Sequence, residues 1–225
     1  MYTYLLINFF SILIPFLFSF EKRLSYYKSW KALFPAIAIT GTFFIVWDHY
    51  LTSRNVWSFN PDYVIGINFW GLPLEEWLFF FTIPYSCLFI YESLNYLIKK
   101  DPFLRYSKNI SLTLLVILFA TAVFNTDKSY TGIKLSLTAL MLLFTVIKNY
   151  PFMGKFYRAY LVSLIPFLIV NGILTSLPVV IYNNAENLGI RIYTIPVEDT
   201  MYSLMLLLMN VVLFEYFKKK FGVAV

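Results

Sequence analysis

Seven apolar runs, each near the length that spans a bilayer, divide this chain. They cover about residues 2–20, 32–51, 73–97, 110–126, 132–148, 159–182 and 197–217. A helix needs roughly 20 apolar residues to cross the hydrocarbon core. Hydrophobic residues make up 60% of the 225 and charged ones only 13%, where soluble domains hold nearer half and a quarter. A water-soluble domain of this size could not bury so much apolar surface, and a disordered chain is charged and poor in aromatics. The expected fold class is therefore all-α: a polytopic membrane helical bundle of seven transmembrane helices. Pro15, Pro35, Pro84 and Pro166 lie in or near spans, where neighbouring helices can satisfy the carbonyls that proline frees.

The net charge of +6 does not read as a nucleic-acid surface, because the basic residues sit in short clusters between the apolar runs. Sorted by side of the membrane, Lys22, Arg23, Lys28, Lys31, Lys99, Lys100, Arg105, Lys108, Lys148, Lys155, Arg158 and Lys218 to Lys220 share one side. Arg54, Lys128, Lys134 and Arg191 are left on the other. Cytoplasmic loops carry the excess of Lys and Arg, so the N-terminus is expected outside and the C-terminus in the cytoplasm. The acids show the opposite bias: Asp48, Asp62, Glu75, Glu76, Asp127, Glu186, Glu198 and Asp199 fall on the outer side. The first run has no basic leader and no small-residue cleavage site, so a retained span is expected there. The single cysteine, Cys87, permits no internal disulfide.

Shifting the chain by 123 residues aligns 48–92 with 171–215 without a gap. Ten of the 45 positions are identical, among them Leu51-Thr52-Ser53 with Leu174-Thr175-Ser176, Gly66 with Gly189, Pro73 with Pro196, Glu75 with Glu198 and Glu92 with Glu215. Both copies run outward along one helix and return down the next. Their common orientation requires an odd helix between two triplets. The expected architecture is a 3+1+3 parallel repeat: a first three-helix repeat at 1–100, a linker helix within 101–130 and a second repeat at 131–225.

Each copy carries a proline followed closely by two acids, Pro73-Leu74-Glu75-Glu76 and Pro196-Val197-Glu198-Asp199. Proline suits a first helical turn, which leaves its missing N–H unneeded, and acids there face the positive end of the helix dipole. That local chemistry alone would explain one copy. Two copies at equal spacing bring four carboxyls to one end of the bundle, and carboxyls close to hydrocarbon mark working sites. Adjacent helical residues diverge by about 100°, so one acid of each pair faces inward. Glu75 shares a face with Phe79, Thr82 and Ser86, Glu76 with Phe80, Ile83 and Cys87, and both choices stay open. Asp48 lies in the same outer layer, with Asn171 as its repeat mate. Glu92 and Glu215 sit deep and are expected to pair with lysines at the inner surface. Trp57, Trp70, Trp77, Tyr63 and Tyr193 read first as an interfacial aromatic belt, although π-faces also stabilise cations. His49, the only histidine, makes no metal site with scattered acids. No G-x-G turn, P-loop or D-D-x-x-D occurs, and helix seven has no lysine before Lys218. Dinucleotide, diphosphate and retinal chemistry are thereby unsupported.

At these residues the chain resembles the membrane-embedded, flavin-free lycopene cyclases. The family pattern is an aspartate ending one helix, a tryptophan-containing loop and P-x-E-E-x-x-F-F. It appears here as Asp48, then Val56-Trp57-Ser58-Phe59-Asn60-Pro61, then Pro73 to Phe80. The second half, Pro196 to Tyr202, is similar to the other subunit type of the family, with Val180 in place of the loop tryptophan. The resemblance implies a single-chain fusion of both halves. It also implies a non-redox cyclisation, an intramolecular lyase or isomerase reaction turning the ψ end groups of lycopene into β-type rings without a cofactor or metal. The implied partners are lycopene or a related acyclic carotenoid, membrane lipid and other enzymes of carotenoid biosynthesis, and the implied location is the cytoplasmic membrane. For the chemistry, Glu75 and Glu198 are expected as proton donor and base in either order. Glu76 and Asp199 would tune them, and Asp48 is the next candidate. Trp57, Trp70, Phe79, Phe80 and Tyr202 are expected to contact substrate. A small-solute transporter with parallel three-helix repeats is the rival reading, and a purely structural subunit a third.

Overall fold

The computed structural model describes residues 2–223. Among them run seven helices: α1 (Thr3–Phe18), α2 (Trp30–Ser53), α3 (Leu74–Leu97), α4 (Ser107–Val123), α5 (Ser129–Lys148), α6 (Met153–Ser176) and α7 (Val197–Phe221). Each begins where the sequence places an apolar run, except α6. That helix starts six residues before the expected 159 and stops six before the expected 182, because residues 180–182 form a strand instead. The early start follows from Arg158. It is a buried side chain inside the helix whose guanidinium donates to the Ile98 carbonyl at 3.1 Å and to Asn95 Oδ1 at 2.7 Å. With those bonds made, an arginine does not have to end the helix at the surface.

Among the described residues five helices are long and apolar enough to cross a membrane: α2 with the turn before it, α3, α5, α6 and α7. The chain is a multi-pass helical membrane protein. The other two expected spans, α1 with 16 residues and α4 with 17, are shorter than a full bilayer core. Helix α1 is bolted to α3 by polar bonds as well as by packing. Asn8 donates to the Glu75 carbonyl at 3.0 Å, Thr82 donates to Asn8 Oδ1 at 2.6 Å and Ser86 donates to the Ser11 carbonyl at 2.9 Å. In hydrocarbon, where water cannot compete, such bonds hold helices together. At the opposite end Lys218 pairs with Glu92 at 3.0 Å, and Tyr91 donates to Glu215 at 2.8 Å, so the deep acids are occupied in joining α3 to α7.

The only strands among the described residues lie in the loops at the end where α3 and α7 begin. Strands β2 (Asn68–Phe69) and β3 (Leu72–Pro73) form one hairpin, β5 (Arg191–Ile192) and β6 (Ile195–Pro196) another. The two registers differ by 123 residues, Asn68 opposite Pro73 and Arg191 opposite Pro196. Gly66 and Gly189 both adopt positive φ, 85° and 72°, a conformation open to glycine without steric cost. A third pair, β1 (Trp57–Phe59) with β4 (Val180–Tyr182), is antiparallel and clasps the two loops together. It is flanked by reciprocal bonds, the Asn60 amide to the Val179 carbonyl at 3.0 Å and the Asn183 amide to the Val56 carbonyl at 2.9 Å.

Candidate functional site

In both loop-to-helix corners the proline is the last extended residue, so the two acids occupy the second and third helical positions. That placement sends them to different tasks. Glu75 Oε1 accepts the Ile65 amide at 2.7 Å, and Glu198 Oε1 accepts the Leu188 amide at 2.7 Å together with the Thr131 hydroxyl at 2.7 Å. Both point back beneath their own loops. The third-position acids, Glu76 and Asp199, turn instead into a cavity.

This cavity has a volume of about 670 Å³ and lies between α1 and α6, with α3 and α7 behind. Helix α1 packs chiefly on α3 and barely meets α6, which leaves the space between them. Lining residues on α1 run from Thr3 to Pro15, about 18 Å at the helical rise. The walls are overwhelmingly aliphatic and aromatic, and the carboxyls gather at one end: Asp48, Glu76 and Asp199. Trp57 and Phe59 from β1 and Val180 and Tyr182 from β4 wall that end, so the clasp delivers aromatic faces to the acids.

The two sides of this acidic end are built differently. On one side Asp48 and Glu76 touch carboxyl to carboxyl. Tyr202 donates to Asp48 Oδ1 at 2.9 Å and Tyr4 donates to Glu76. On the other side Asp199 accepts from Tyr130, from Tyr182 at 2.7 Å and from Lys134 Nζ at 3.1 Å. Burial first, and then Asp199, pushes the Tyr182 phenol in β4 well above the usual tyrosine range, so it stays a neutral donor.

The residues singled out in the sequence are therefore sorted by the fold. Asp48, Glu76, Asp199, Trp57, Phe79 and Tyr202 line the cavity. Glu75 and Glu198, the favoured donor and base, do not; they are buried and hold loops. Phe80 packs on Phe44 outside the cavity lining. Trp70 is 54% exposed, has its ring stacked on His49 at 4.4 Å and accepts from His49 Nδ1 at 2.8 Å. It belongs to the β2–β3 turn, where its own φ is 51° and that of Gly71 is 73°, a type I′ geometry. Sequence reasoning missed Tyr4, Tyr130, Tyr182 and Lys134. The lysine was countable as an outer-side charge; its signal was its position inside an apolar run, where an ammonium needs a partner. Among the described residues no cluster of His, Cys, Asp and Glu could hold a metal ion.

The fold and site define a multi-pass helical membrane protein with an apolar cavity and carboxyl groups gathered at one end of it. A family model described as lycopene cyclase matches residues 1–94 and 127–217. The chain belongs to the lycopene cyclase family. Similar proteins include the bifunctional lycopene cyclase/phytoene synthase of Phaeosphaeria nodorum, 40% identical over 68 residues, which are 30% of this chain and 11% of that protein. The protein of the same description from Aspergillus niger is 28% identical over 134 residues, 53% of this chain and 22% of its own length. That from Podospora anserina is 51% identical over 37 residues, 16% of this chain and 6% of that protein. The matched segments thus span less than a quarter of each of these relatives. No solved structure matches the chain.

Proposed function

We propose that this protein is a carotenoid cyclase that closes the ψ end groups of lycopene, or a related acyclic carotenoid, into β-type rings without net redox change. The observation that carries this reading is the meeting of Asp48, Glu76 and Asp199 with an otherwise apolar, aromatic cavity. An alkene is a very weak base, and only a carboxylic acid sheltered from water could protonate it. Two carboxyls in contact cannot both ionise without strong repulsion, so the Asp48–Glu76 pair holds a proton between them.

The reaction balances within the substrate and these side chains. A carboxyl O–H bond breaks as the terminal alkene takes the proton and becomes a tertiary cation. The neighbouring double bond attacks, a six-membered ring closes and the charge moves onto a ring carbon. A carboxylate removes a proton from an adjacent carbon, and the choice of proton fixes the ring type. The faces of Trp57, Phe79 and Tyr202 suit a passing cation. A C40 hydrocarbon barely dissolves in water, so substrate enters sideways from lipid through the space between α1 and α6.

The same proposal includes the 3+1+3 parallel repeat with α4 as linker, the N-terminus outside and the C-terminus cytoplasmic, in a cytoplasmic membrane beside other enzymes of carotenoid biosynthesis. Hairpin registers, glycine conformations and carboxyl-to-amide bonds recurring 123 residues apart support the repeat. So does the family match on either side of α4. Expression in a lycopene-making bacterial host, followed by pigment chromatography, tests the reading. The expected product has unchanged mass and absorbs at shorter wavelength. Unaltered lycopene beside protein accumulated in membranes overturns it.

A further inference from the structure

We propose that Lys134 is a positioning residue that divides the labour between the two acidic sides, holding Asp199 as the ionised proton acceptor and leaving the Asp48–Glu76 pair to deliver the proton. This rests on the cyclase reading and deepens it.

Lys134 lies in the second turn of α5 and is fully buried. Its ammonium bonds to Asp199 at 3.1 Å and to the Tyr130 hydroxyl, and it lies 4.4 Å from the centre of the Tyr202 ring. The charged and titratable groups facing it are Tyr130 on its own helix, Glu198, Asp199 and Tyr202 on α7, and Asp48 on α2. Helix α4, also packed on α5, brings only Lys108, in its first turn. Of the carboxyls nearby, Asp199 is the one the ammonium touches. Glu198 is committed to the Leu188 amide and Thr131, and Tyr202 stands between Lys134 and Asp48, donating to Asp48.

A buried carboxylate in contact with a cation keeps its charge, whereas two carboxyls in contact with each other share a proton. The near-symmetric bundle therefore presents two unlike acids, a proton-bearing pair beside α1 and an ion-paired acceptor beside α5. The lysine makes the difference. It has no counterpart in the first half: 123 residues earlier lies Ser11, and Asn8 holds the inward position on α1. Through Asp199 the lysine also fixes where the proton leaves the ring.

Infrared spectra of carotenoid-free membranes test the assignment apart from activity. In the unsubstituted chain, Asp199→Asn should remove an ionised carboxylate band and Glu76→Gln a protonated carboxyl band. Lys134→Met should gain a protonated carboxyl band that the Lys134→Met, Asp199→Asn double variant lacks, while Lys134→Arg should not. In the lycopene-making host, Lys134→Met should lose at least about 100-fold in cyclisation, with substantial recovery in Lys134→Arg. A protonated band lost in Asp199→Asn, or Asp199 still ionised in Lys134→Met, overturns the role of the lysine. The band assignments need no substrate, and neither comparison with the unsubstituted chain requires Lys134→Met to fold. Correct bands in a chain that leaves lycopene unchanged would instead sink the cyclase reading while keeping the ion pair.

Discussion

Glu75 and Glu198 accept the amide of the residue ten positions before them, each at 2.7 Å, and so fasten equivalent loops onto equivalent helix starts. The acid next along the chain in each case, Glu76 or Asp199, faces the cavity. One helical step thus separates a carboxyl that fastens a loop from one that faces the cavity. Glutamine keeps a carbonyl oxygen able to accept the amide, so E75Q and E198Q should retain cyclisation within about tenfold. E76Q and D199N should lose roughly 100- to 10,000-fold, the range for removing a general acid or base. Pigment chromatography, normalised to the amount of protein in the membrane, separates the two pairs. Equal losses in all four variants would end the distinction.

Alanine at the loop-fastening positions should behave differently from glutamine. E75A and E198A leave a buried amide without an acceptor, at a cost of about 1–3 kcal/mol each. Glu198 also accepts the Thr131 hydroxyl, a bond Glu75 lacks, so E198A should fall further in thermal stability in detergent than E75A.

Much of this was legible in the chain. Apolar runs located all seven helices because each run approaches the bilayer length, and the 123-residue offset aligned the two outer loops, in which the structure then shows hairpins matching in register to the residue. What was not legible is angular. Sequence places Glu75 and Glu76 about 100° apart but not which one meets the cavity, because that depends on how the preceding loop approaches. The Ile65 amide, ten residues away, claims the first of them. Tyr4 and Tyr130 were hidden for a related reason: tyrosine near a span end reads as an interfacial anchor, and its hydroxyl partner lies on another helix. Lys134 looked like a topology signal because a charge near a span end is ordinarily solvated, and its partner Asp199 is 65 residues away.

Ser163 on α6 and Cys87 on α3 both line the cavity, away from the acids. Filling this space with a large ring should stop substrate from reaching the carboxyls without altering their bonds. S163W should therefore abolish cyclisation while protein still accumulates in membranes, and S163A should stay near the unsubstituted rate. Full activity in S163W would show that substrate reaches the acids by another path.

Tyr182 reaches Asp199 from the clasp strand, donating to Oδ2 at 2.7 Å, while its strand partner Trp57 packs edge-on against Tyr130. Its phenol, held neutral by burial and by Asp199, tethers the side of the carboxylate that Lys134 does not reach. Y182F removes that bond and little else. A hydrogen bond to a charged group contributes about 1.5–3 kcal/mol, so cyclisation should fall roughly 10- to 150-fold if the bond acts fully in the transition state. The carboxylate would keep its ammonium but lose its aim, so the variant should also release a mixture of ring isomers, because proton removal from the cation would no longer be confined to one carbon. Chromatographic separation of the ring isomers checks this directly. A slower enzyme giving a single unchanged ring type would place Tyr182 in loop packing, and a mixture would place it in steering the base.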